Sequence, residues 1–139
     1  MTTFLNTDLD VVSDRDPTPL VAALEREGNV HQLTPAPIAN DDGTWFVNFE
    51  TFVRPHTAEA TAASIVDAIE NLDADERALW DACRSRVLDL GFDAGKGDVL
   101  AMTLSPRTVA RAAAAGLAIT VTIYPVDMPV RSVEAGEVP

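Results

Sequence analysis

Four stretches of this chain alternate apolar and polar residues with a period of two, and that alternation limits its fold more than any other feature. Successive side chains of a strand point to opposite faces, so such a run is a strand with one packed and one polar face. From Phe4 to Val12, Leu5, Thr7, Leu9 and Val11 oppose Asn6, Asp8 and Asp10. From Thr44 to Phe52, Trp45, Val47 and Phe49 oppose Phe46, Asn48, Glu50 and Phe52. Leu88, Leu90 and Phe92 alternate with Asp89, Gly91 and Asp93. The clearest run sets Leu117, Ile119, Val121 and Ile123 against Ala118, Thr120, Thr122 and Tyr124, before Pro125 ends it.

Helix signals fill the gaps. Thr18-Pro19 reads as a hydroxyl cap followed by a proline that needs no amide partner, with Leu20, Ala23 and Leu24 as the buried stripe and Gly28 as the stop. Thr57 caps a helix whose Ala58, Ala62, Ile65, Ile69 and Leu72 recur at spacings of four and three. Asp73 and Glu76 form a capping-box pattern leading to Leu79, Trp80 and Cys83. Ser105-Pro106 starts a last helix that stops at Gly116. Between Val30 and Ala39, Pro35 and Pro37 allow only an edge strand or an irregular arm, and Asp42-Gly43 supplies a hairpin turn.

This order predicts an α+β two-layer sandwich: a ferredoxin-like strand-helix-strand-strand-helix-strand core, extended by a further helix and strand, with a mainly antiparallel sheet and one open face. The helices are expected to bury Leu9, Val11, Val47, Phe49, Leu88, Leu90, Ile119, Val121 and Ile123, with Trp45 and Trp80 in the core. Residues 1–125 form a single domain in this reading, and 126–139, with Pro129 and Pro139, a poorly ordered tail.

Charge narrows the partners. Asp plus Glu number 22 against 10 Lys plus Arg, for a net charge of -12 and a pI near 4.3. Affinity for phosphate backbones or anionic membranes needs clustered cations, and here the arginines and Lys96 are dispersed among carboxylates, so neither nucleic acid nor membrane is an expected partner. No apolar run reaches the ~20 residues of a membrane span, and the amino terminus lacks a charged and apolar leader, which makes the cytoplasm the expected compartment. No cofactor is expected. Cys83, His31 and His56 have no paired metal-ligand spacing, and Cys83 reads as a small buried hydrophobe. Gly95-Lys96-Gly97 lacks the earlier glycine and the following Ser or Thr of a phosphate loop.

The carboxy-terminal third, with Leu88-Asp-Leu-Gly-Phe-Asp93, Leu104-Ser-Pro106, Ala115-Gly-Leu117 and Ile119-Thr-Val-Thr-Ile-Tyr-Pro125, resembles a family of small bacterial domains of unknown function. The resemblance implies a terminal unit of Ser-Pro-started helix, Gly-Leu turn and strand ending in an aromatic residue. It implies no catalytic residue.

The constellation richest in chemistry is Asp8-Leu9-Asp10, whose carboxylates share a strand face about 7 Å apart. Asn48, Glu50, Asp89 and Tyr124 are expected on the same side. Two functions follow from different classes. One is a non-enzymatic interaction module, inhibitor-like or immunity-like, that binds a basic protein partner through Asp8, Asp10, Asn48, Glu50, Asp89 and Tyr124. The alternative is a small-ligand or divalent-cation binding protein that uses the carboxylates of that face, which requires them to converge in a cleft.

Overall fold

The computed structural model describes residues 3–125 apart from Lys96 and Asp98. The expected tail, 126–139, lies outside the described residues. Along the chain run β1 (Thr3–Ser13), α1 (Thr18–Glu25), β2 (Val30–Gln32), β3 (Ile38–Ala39), β4 (Trp45–Thr51), α2 (Ala58–Glu70), α3 (Ala74–Asp81), β5 (Ser85–Asp93), α4 (Pro106–Ala114) and β6 (Ala118–Tyr124). The fold is α+β, and its six strands form one sheet in the order β2-β4-β1-β5-β6, with β3 also on β4. All pairings are antiparallel except β5 with β6, which α4 connects as a parallel crossover.

Three of the four helix starts carry the expected side-chain caps. Thr57 accepts the amide of Ala60, Asp73 and Glu76 form the reciprocal capping box, and Ser105 accepts the amide of Thr108. At α1 the cap differs from expectation. Pro17 is the N-cap residue with no side-chain bond, and Thr18 donates both its amide and its hydroxyl to Asp16, at 3.0 and 2.6 Å.

The helices cover one sheet face, and Leu9, Val11, Val47, Phe49 and Leu88 are buried there against Leu24, Ile65, Ile69 and Trp80. Three expectations about this core need correction. The register slips between Phe4 and Asn6, and this β-bulge turns Phe4 inward and leaves Leu5 exposed. Trp45 is only half-buried. The largest departure is in β6, where Ile119, Val121 and Ile123 are 41%, 56% and 63% exposed. They share the helix-side face with their partners Leu88, Leu90 and Phe92, but among the described residues no helix covers them. The reason is that α4 is drawn onto α2. Arg111 pairs with Asp67 and Glu70, and Glu59 accepts the Ser105 amide (2.8 Å), the Ser105 hydroxyl (3.1 Å) and the Thr108 hydroxyl (2.7 Å).

Those three bonds to one carboxylate hold the start of α4 against the start of α2. The Glu59→Ala variant is therefore expected to lose about 1–2 kcal/mol of stability, measured as a lower midpoint in urea unfolding. An unchanged midpoint would show that the helix pair is held by packing alone.

Candidate functional site

The polar face of the sheet is left open, and the strand registers determine which side chains meet on it. Asp8 lies opposite Glu50 of β4 on one side and opposite Asp89 of β5 on the other. His31 of β2 is opposite Glu50, and Thr120 of β6 is opposite Asp89. One row therefore crosses the sheet as His31, Glu50, Asp8, Asp89 and Thr120. Side chains directly opposite on adjacent strands have Cβ atoms about 5 Å apart, so three carboxylates are immediate neighbours in this row. Asp10 stands two residues along β1, opposite Asn48 and Val87.

Neutral donors partly offset the repulsion. The Asn6 amide donates to Asp8 Oδ1 at 3.1 Å and also to Glu50 Oε2. The Thr122 hydroxyl donates to Asp89 Oδ1 at 2.6 Å. Such donors leave the excess negative charge in place. Burial pushes the Asp8 carboxyl up from 3.8 to about 7, and Glu50, Asp10 and Asp89 add to the rise. Asp10 is raised as well, by burial first and then by Asp89. Carboxylates are usually lowered by cations, as Glu70 is by Arg111. On the Asp8 row the residue of basic type among the described residues is His31.

Aromatic rings flank the row. The His31 ring lies 5.4 Å from that of Phe52, which is exposed at the end of β4. Across the sheet, Tyr124 is half-exposed beside Gly91, where an added Cβ would lie 3.8 Å from its ring and 3.2 Å from Asn6 Oδ1. The absence of a side chain at Gly91 lets Asn6 and Tyr124 approach one another.

All six residues singled out from the sequence, Asp8, Asp10, Asn48, Glu50, Asp89 and Tyr124, stand on this face. Asp8, Glu50 and Asp89 are brought together, Asp10 and Asn48 form the next pair, and Tyr124 sits apart at the edge. His31, which the sequence offers only as a histidine without paired metal-ligand spacing, joins the same row. Its place beside Glu50 depends on β2 pairing with β4, and no local pattern in the sequence carries that information. Asn6, noted from sequence beside Asp8, proves to bridge two carboxylates.

Asp8, Asp10, Glu50 and Asp89 line none of the three best-formed cavities of the described residues. Among the described residues no three Asp, Glu, His or Cys side chains are arranged to hold a metal ion. Two of these cavities open elsewhere on the molecule. One of about 510 Å³ lies on the helix side, lined by Leu90, Phe92, Val99, Met102, Val121 and Ile123 among others. Another of about 590 Å³ lies between Asp14–Leu20 and Leu79. Cys83 is buried, and burial pushes its thiol upward, away from thiolate reactivity. No described helix is long and apolar enough to cross a membrane. No family model, no curated protein and no solved structure matches this chain.

Proposed function

We propose that this chain is a cytoplasmic, non-enzymatic interaction module, inhibitor-like or immunity-like, that binds a basic protein through its open sheet face. The observation that carries the reading is the Asp8 row. Carboxylates packed at adjacent cross-strand positions raise one another's proton affinity and weaken the isolated protein, and a cationic group brought by a partner relieves that repulsion. The flanking Phe52 and Tyr124 supply the aromatic contacts in which partner surfaces are enriched. The acidic row lines none of those three cavities and forms no metal-holding group among the described residues, which favours a macromolecule over a small ligand or a cation, both of which need an enclosing site.

The same proposal extends to the architecture. The sheet segment β2-β4-β1-β5, in which β1 and β2 run the same way with β4 between them, is read as a ferredoxin-like core. The unit from α4 to β6 is then the extension that resembles the small bacterial domains.

The test is capture from native lysate on the immobilised chain, beside an Asp8→Asn/Asp10→Asn double variant, followed by binding of the purified captured protein. A basic protein released at moderate salt, and bound at least about tenfold more weakly by the double variant, is expected. Equal affinity for both baits, or affinity independent of salt, would overturn the reading.

A further inference from the structure

We propose that two copies of this chain pair edge to edge through β6, antiparallel and in register about a two-fold axis at Val121. The two edges of the sheet differ sharply. At one edge, β2 has three residues and β3 two, with Pro35 and Pro37 between them, so that edge is short and interrupted. At the other, β6 offers seven uninterrupted residues, Ala-Ile-Thr-Val-Thr-Ile-Tyr, with no charge and no proline. Charges, prolines and short strands are the usual devices that keep an edge from pairing, and β6 has none of them.

Its backbone is set for pairing. The Tyr124 carbonyl accepts the Ala94 amide on the β5 side. Since the direction of backbone groups alternates along a strand, Ile119, Val121 and Ile123 direct their amides and carbonyls outward. Among the described residues no strand pairs with that side.

The occupant follows from the sequence of the edge itself. Ile119-Thr120-Val121-Thr122-Ile123 reads the same in both directions. In a two-fold antiparallel pair centred on Val121, Val121 meets Val121 of the second copy, Ile119 meets Ile123, and Thr120 meets Thr122. The outward-facing residues then pair with one another, and each pair is β-branched with β-branched, a favoured cross-strand combination. A seven-residue seam is about 24 Å long, and the exposed Val99, Leu100 and Met102, which line one cavity with Val121 and Ile123, widen the contact on its helix side.

An axis perpendicular to the sheet keeps both open faces on one side, so the dimer would present two acidic rows together. Asp8 and Asp10 take no part in the seam, so the dimer and the proposed function stand or fall separately.

Sedimentation of the full chain over a wide concentration range tests the pairing. A concentration-dependent dimer is expected, and Val121→Lys, which sets two ammonium groups against each other on the axis, should raise its Kd at least ~100-fold. Circular dichroism of that variant confirms that it remains folded. The register has its own test. Under mild oxidant Val121→Cys should form a disulfide-linked dimer, because residues facing each other in a hydrogen-bonded pair have Cα atoms about 5.5 Å apart. Ile119→Cys should not, since it faces Ile123, while the Ile119→Cys/Ile123→Cys double variant should. A monomer at every concentration, a dimer unaffected by Val121→Lys, or cross-linking by Ile119→Cys alone would overturn the proposal. If a monomer showed β6 amides slow to exchange, the edge would belong to the chain's own 126–139 segment.

Discussion

Replacing Trp80 with alanine is expected to remove about 3–5 kcal/mol of stability, a large part of the ~5–15 kcal/mol available to a domain. The indole is fully buried where α3 meets the turn between α4 and β6. Its Nε1–H donates to the Ala115 carbonyl at 2.8 Å, and the Arg86 guanidinium lies 5.9 Å from the ring centroid. Arg86 itself donates to the carbonyls of Trp80, Asp81, Cys83 and Gly116, so one cation closes the end of α3 and the start of β6 together. Truncating Trp80 opens a cavity and leaves the Ala115 carbonyl unpaired. A thermal unfolding scan should show Tm lowered by more than about 10 °C. Trp80→Phe should cost less, because it keeps most of the volume and loses the hydrogen bond. A fall of under about 1 kcal/mol for Trp80→Ala would mean that the α3 contact is dispensable.

The second large effect concerns Asp8 and has a pH dependence of defined sign. Its carboxyl is raised from 3.8 to about 7 in the folded protein, by burial and by Glu50, Asp10 and Asp89. Between those values the folded chain holds a proton that the unfolded chain has released. The contribution of Asp8 to stability therefore falls as pH rises from about 4 to 7 and is flat above, with its full penalty present at pH 8. Asp8→Asn removes the penalty while keeping an acceptor for the Asn6 amide. Because Asp8 is half-buried, solvent screens part of the repulsion, leaving an expected gain of about 1–2 kcal/mol at pH 8 that vanishes below about pH 4. Urea unfolding of both proteins across this range reads the difference directly. A gain that is the same at all pH values would assign the effect to packing or hydrogen bonding and remove the electrostatic account of the row.

These two predictions pull in opposite functional directions. Trp80 serves the fold and has no place on the open face. Asp8 is expected to weaken the fold, and a stability cost at a half-buried polar position is what a binding surface can carry when its partner supplies the missing charge.

Much of this was legible in the chain itself. The caps at Thr57, Asp73 and Ser105 and the period-two runs around Leu9, Phe49 and Leu88 depend on residues two to four positions apart, so their physics is local. The shared face of Asp8, Asp10, Asn48 and Glu50 followed from the same parity. Where one extra residue broke that parity, at the bulge after Phe4, Leu5 and Phe4 exchanged their expected places.

What only the tertiary structure decided was adjacency and cover. Period two says which side chains of β6 share a face, but not whether a helix lies over that face. The pull of Asp67, Glu70 and Glu59 carries α4 onto α2 and leaves Ile119, Val121 and Ile123 at the surface. Likewise the composition shows many carboxylates, but pairing β1 between β4 and β5 is what sets Asp8 between Glu50 and Asp89. By itself the sequence determined the main elements, three of the four helix caps and the side of each long strand that is polar, because those rest on neighbours along the chain. The acidic row and the uncovered edge rest on contacts between residues some forty to eighty positions apart in sequence, as in Asp8 with Glu50 and with Asp89, and only folding brings these together.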